Sequence, residues 1–207
     1  MKANFLRAPQ GVAEYLADAL RIIGLLGVVF AAIWLEPTDA GILALTLPVL
    51  VAPRFLGARA AFDIPFSVIV LLAAWSNVID LYRTVDGWDI VMHIVCMGAL
   101  VPIAYLLLAH WSIVPATSSP TFRKRVPIVL YPVLGLALGA VWEMIEWAGF
   151  VLISDDIFVE YHDTISDMAV GALGALAAGI VLAGVRLDRE GTDRVASGGS
   201  GARVATR

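Results

Sequence analysis

Six long apolar runs organise the sequence, and short polar stretches separate them. They cover about 16–35, 41–56, 64–81, 88–108, 126–153 and 164–185. These runs are apolar on every side of a helix, which an amphipathic stripe cannot explain and lipid contact can. A helix of about 20 residues crosses the hydrocarbon core. Five runs meet that length comfortably. The second is shorter and carries Pro48 and Pro53, so a kinked or partly re-entrant segment is expected there. The pattern predicts an all-α, polytopic membrane helix bundle of six transmembrane helices, with residues 1–186 as one domain.

Composition supports this reading. Of the 207 residues, 60% are hydrophobic and 15% charged, against about 25% charged in a soluble domain. The net charge of −4 matters less than where the charges lie. Lys2, Arg7 and Arg21, then Arg54 and Arg59, then Arg123, Lys124 and Arg125, fall at every second boundary. Arg186, Arg189, Arg194, Arg203 and Arg207 end the chain. The alternate loops carry Glu36, Asp39, Asp80, Asp86, Asp155, Asp156 and Glu160, with Arg83 as their one basic residue. The positive-inside rule therefore puts both termini in the cytoplasm, which requires an even number of spans.

Residues 187–207, rich in Gly, Ser and Arg, read as a disordered cytoplasmic tail. The polar start and the lack of a small-residue cleavage site make the first run a retained helix. No internal repeat of the transporter kind is visible. The single cysteine, Cys96, allows no intrachain disulfide. No basic stripe with interleaved aromatics points to nucleic acid.

The informative residues are the ionisable ones at the outer ends of the last three runs. Asp89 and His93 are four apart, Glu143 and Glu146 three apart, and Asp163 and Asp167 four apart. Each pair shares a helix face. Gly135 and Gly139 continue the stripe of Glu143 and Glu146, while Gly171, Gly174 and Ala178 continue that of Asp163 and Asp167. Small residues at this spacing let membrane helices approach closely. Packing of those stripes on one another would gather the four carboxylates into one cavity, completed by Asp89 and His93. Five acids that close cannot all remain ionised and unpaired, so protons or cations must be present.

Asp89 and Asp163, near helix starts, have the ordinary role of capping acids. His93 alone is ordinarily a satisfied core residue and His162 a loop residue. Glu143 and Glu146 have no such role. They oppose the dipole near a helix C-terminus and lie in an apolar helix, where each charge costs about 2.5–3.5 kcal/mol on insertion scales.

Carboxylates with an imidazole suit Mn, Fe, Zn or Mg. The expected metal ligands are Glu143, Glu146, Asp163, Asp167 and His93, with Asp89 and His93 as catalytic candidates. No other cofactor is implied. Elsewhere, Arg83 is expected to pair with Asp80 or Asp86, and Asp18 with Arg21. Trp75, Trp88, Trp142 and Trp147 are expected as interfacial anchors, and Cys96 as a buried, inert thiol.

Asp89-x-x-x-His93, Glu143-Met-Ile-Glu146-Trp147 and Asp163-Thr-Ile-Ser-Asp167-Met168 resemble motifs of the bacterial YjdF-like inner membrane proteins, a family of unknown function. The resemblance spans roughly the third to sixth runs. More distantly, an Asp/His helix, an acidic helix and an Asp-led helix entering Gly-Ala repeats are similar to VanZ-like proteins, which are associated with glycopeptide resistance. Glu146 stands at that group's Glu-x-x-Gln position, and the outer loop is acidic where theirs is Arg-rich. The resemblance implies a multi-pass protein of the bacterial cytoplasmic membrane and this set of site residues; it supplies no substrate.

Three functions fit these observations. The first is a metal-assisted envelope hydrolase or transferase acting on a lipid-linked or small-molecule substrate at the outer leaflet. The second is a proton-coupled or cation transporter. The third is a non-catalytic membrane scaffold whose polar cluster fixes helix packing.

Overall fold

The structure, a computed structural model, describes residues 1–154, 157 and 159–189. Among the described residues eight helices follow in order: α1 (Lys2–Leu6), α2 (Val12–Trp34), α3 (Pro37–Leu56), α4 (Ala60–Val78), α5 (Leu81–Thr84), α6 (Trp88–His110), α7 (Arg125–Leu152) and α8 (Tyr161–Leu182). All but α1 and α5 are long and apolar enough to cross a membrane. The described residues contain no strand beyond an isolated bridge between Ala58 and Asp188.

The second apolar run belongs to a helix longer than its hydropathy suggests. It forms one continuous helix of 20 residues, because its start lies upstream of the apolar stretch. Pro37 stands in the first turn, and Glu36 and Asp39 form a reciprocal capping box, so polar residues begin the helix that apolar ones continue. Its end is set by Gly57, whose φ of 73° lies in the left-handed region that favours glycine. The short helices α1 and α5 are invisible in the hydropathy pattern. α1 is held on α3 by the stacking of Phe5 on Phe55 at 4.3 Å and by the Asn4 amide donating to the Phe55 carbonyl at 3.2 Å.

α2, α3 and α4 pack together, and α8 packs along both α6 and α7. Residues such as Ile22, Leu26, Val29 and Ile33 of α2 remain exposed, as suits lipid-facing positions. The glycine stripes meet differently from expectation. Gly135 and Gly139 of α7 do face α8, against Ala172, Ala175 and Met168. Gly171 and Gly174, however, face α6: a Cβ on Gly171 would come 2.9 Å from Met97 Cγ, and one on Gly174 would lie 2.8 Å from Ile94 Cα and overlap the Ile94 carbonyl. α8 is thus pressed between two helices, with its glycines divided between them.

Gly174→Ala should cost about 3 kcal/mol, the upper end for overpacking, because backbone rather than a yielding side chain receives the methyl group. Thermal unfolding in detergent measures this; an unchanged midpoint would contradict the packing.

At the end of the bundle where α2 begins and α3 ends lies an ion-pair network. Arg21 contacts both Asp63 oxygens at 2.7 and 2.6 Å, Asp18 at 3.0 Å, and the Leu50 carbonyl at 3.0 Å. The expected Asp18–Arg21 pair exists, but Arg21 Nη2 also donates to both carboxylate oxygens of Asp63 on another helix. Arg54 pairs with Asp18 at 3.3 Å, and Glu14 pairs with both Arg7 and Arg189.

Chain segments cross at this end. Leu187–Arg189, the start of the expected tail, is held against the Gly57–Arg59 turn: Arg59 N–H donates to the Leu187 carbonyl at 2.8 Å and Arg189 N–H to that of Gly57 at 3.0 Å. Leu187 and Asp188 are buried, and the Thr117 hydroxyl donates to Asp188. Residues 190–207 of that tail lie outside the described residues.

Candidate metal centre

The opposite end, where α6 and α8 begin and α7 ends, carries the acids and His93. Asp89 lies in the first turn of α6, yet it is no cap: Gly87 occupies the N-cap, with no side-chain hydrogen bond there. Its carboxylate instead turns toward His93, one helical turn on, at 3.5 Å from Nε2. Asp167 of α8 lies on the other side of that nitrogen at 3.8 Å. Gly171 makes this possible, since its missing side chain lets α8 settle close to the His93 carbonyl. One potential ligand atom from each of Asp89, His93 and Asp167 lies within 4.8 Å of the others.

Burial is severe for an acidic site. Exposure is 2% for Asp167, 7% for His93 and 8% for Glu143, while Asp89, Glu146 and Asp163 are half-buried. Glu143 takes Thr164 of α8 as its hydrogen-bonding neighbour and interacts electrostatically with His93, Asp163 and Asp89. Glu146 interacts with Glu143, His93 and Asp89 and is hydrogen-bonded to Trp142. Asp163 interacts with Asp89 and His93. All six residues singled out in the sequence therefore belong to one electrostatic cluster. The three residues whose potential ligand atoms lie closest together are Asp89, His93 and Asp167, and Asp89 is expected from the sequence as a catalytic residue and not as a ligand.

Several polar atoms here have no protein partner. His93 Nδ1, Glu143 Oε1 and Asp167 Oδ1 are buried and without a hydrogen bond. Leaving such a group unsatisfied costs about 1–3 kcal/mol, more when it is charged, so native structures rarely tolerate it. Three on residues of one cluster fit a site built to receive a ligand. The donor set, carboxylate oxygens with one imidazole, suits a divalent cation.

Tyr82 was missed in the sequence. It sits on α5, in a polar connection where no periodicity marks it, and donates its hydroxyl to the Ala73 carbonyl at 3.3 Å. Burial pushes its phenol well above the ordinary range, and the neighbouring Cys96, Asp89 and Glu146 push it further. At neutral pH it is a protonated donor at the edge of the acidic cluster. Cys96 is half-buried on the same side, near Asp89.

The other candidates keep ordinary roles. Arg83 lies 3.8 Å from Asp80, both exposed. His162 is exposed beside Tyr161. Trp142 and Trp147 are exposed, whereas Trp75 packs against Gly27.

No curated protein and no solved structure matches the chain. Residues 19–188 match the family described as predicted membrane protein (DUF2238), a stretch that contains the whole cluster from Asp89 to Asp167. The six membrane-length helices agree with that description, and the chain belongs to this family of predicted membrane proteins.

Proposed function

We propose that Asp89, His93 and Asp167 bind a divalent cation and that the protein is a metal-assisted hydrolase or transferase of the bacterial cytoplasmic membrane. In this reading both termini face the cytoplasm and the site opens toward the outer leaflet, as the placement of Lys and Arg supports. The observation that carries the proposal is the cluster of three ligand atoms within 4.8 Å, with His93 and Asp167 each keeping an unpartnered buried atom.

A cation bound there supplies Lewis acidity and lowers the pKa of a ligated water. The protein's own residues do the rest. His93 is oriented by Asp89, one turn before it on the same helix. Tyr82, protonated beside Asp89 and Glu146, can donate to a substrate oxygen by turning its hydroxyl away from the Ala73 carbonyl. A lipid-linked or small substrate at the outer leaflet suits a site at the end of a lipid-embedded bundle.

Two rival readings have less support. A transport path needs titratable groups toward the other end, but Asp18 and Asp63 there are engaged by Arg54 and Arg21. A packing scaffold would satisfy its own polar atoms, whereas three remain unpartnered here.

Metal analysis of detergent-purified protein tests the proposal. The wild type should carry near-stoichiometric Mn, Fe, Zn or Mg, and His93→Ala should lose most of it while eluting as the same monodisperse species. Affinity should fall as pH is lowered, because protons compete with the cation for the carboxylates and imidazole. Wild-type protein that binds none of these ions after incubation would overturn the reading.

A further inference from the structure

At the end of the bundle where α7 begins, Arg7, Arg21, Arg54 and Arg189 are held by Glu14, Asp18 and Asp63. Arg123, Lys124 and Arg125 differ from them. All three are exposed, and among the described residues none of them forms an ion pair. Three adjacent cations without a counter-charge attract an anion from outside the chain. An open groove of about 480 Å³ lies against all three. The Lys124 ammonium reaches the end of α8, where a Cβ on Gly184 would lie 3.8 Å from Nζ. The groove therefore stands where α7 starts and α8 ends.

We propose that this groove binds the headgroup of an anionic phospholipid, with an acyl chain laid along α7. The proposal concerns the end of the bundle opposite the metal centre and is independent of what that centre does.

The apolar surface beside the groove distinguishes a lipid from a soluble anion. Arg125, Val129, Val133 and Leu136 follow one another at intervals of four, four and three residues, so they share one face of α7. All four are exposed, Val129 at 67% and Val133 at 57%. From Arg125 to Leu136 the stripe runs about 16 Å by helix rise, close to half of the hydrocarbon core and hence the depth of one leaflet. On α8, Val181 stands one turn before Gly184 and is 70% exposed, which offers contact to a second chain. A phosphate at Arg125 thus meets two further cations, while its chains continue along surface that is already apolar. The arginines add planar pairs of donors that match phosphate oxygens, and basic pockets between transmembrane helices suit acidic headgroups.

The test is native mass spectrometry of detergent-purified, full-length protein given phosphatidylglycerol and phosphatidylcholine in equal amounts. The wild type should retain one phosphatidylglycerol per chain under activation that strips phosphatidylcholine. Arg123→Gln/Lys124→Gln/Arg125→Gln should weaken phosphatidylglycerol binding about 100-fold, on the scale of charge-by-charge attraction to acidic headgroups. Arg123→Gln/Arg125→Gln should weaken it clearly, whereas Lys2→Gln/Arg59→Gln, which removes the same charge from other connections, should leave it within about twofold. Lys124→Gln alone serves as a further probe should the triple variant fail to fold. Equal retention of the two lipids by the wild type overturns the proposal, and so does an equal loss in the two double variants, which would make the attraction one of net charge. Displacement of the bound lipid by glycerol 3-phosphate at the same concentration also overturns it, in favour of a soluble phosphate.

Discussion

Asp167→Asn is expected to lower divalent cation affinity by more than about 100-fold, since even outer-shell partners of a metal ligand are worth 10–100-fold. Asp167 lies beside His93 Nε2 with one oxygen and keeps the other unpartnered, so an amide at this position removes one of the three proposed ligands. Titration calorimetry with manganese on purified protein measures the loss. An affinity within about threefold of wild type, under 1 kcal/mol, would remove Asp167 from the ligand set.

The same substitution should have the opposite effect on the metal-free protein. Asp167 is 2% exposed among like charges, and without a cation its charge is a burden on the fold. Metal-free Asp167→Asn should therefore melt above metal-free wild type, while metal-loaded wild type should melt above both. A residue that served packing alone would lower the midpoint in every state.

Arg21→Met carries the largest expected stability loss, about 3–5 kcal/mol, the usual cost of leaving one member of a buried pair alone. Asp63 is 5% exposed and accepts at both oxygens from Arg21 Nη2, with Ser67 as its other hydrogen-bonding neighbour at 3.3 Å. The network also joins α2 to α3 and α4 through the Leu50 carbonyl and Asp63. Arg21→Met/Asp63→Leu should recover much of the loss, because an apolar pair of similar volume leaves no charge to solvate. Thermal unfolding in detergent reads both. A loss below about 1 kcal/mol in the single variant would class the pair with exposed ion pairs.

The candidate site was legible in the sequence to an unusual extent, and the reason is the membrane. Within an apolar helix every ionisable residue is costly, so Glu143, Glu146 and Asp167 stand out without any structure. Helical spacing then identifies which of them share a face. Tyr82 escaped because it lies in a polar connection, where a tyrosine carries no comparable signal. The partner of Arg21 escaped for a related reason. Asp18 lies three residues away on the same helix and satisfies the local rule, while Asp63 is reached only by packing two helices.

The sequence by itself determined the helical class, the six membrane-length segments and the residues of the acidic cluster. All three follow from hydropathy and helix periodicity, which are local properties of the chain. Tertiary structure alone decided that α8 is clasped between α6 and α7, that Gly171 and Gly174 serve α6 rather than α7, and that Asp89 lies close to His93 and Asp167. It also decided that Leu187–Arg189 is held against the Gly57–Arg59 turn. These depend on which helix faces meet, and a small-residue stripe permits close approach without naming the helix that will make it.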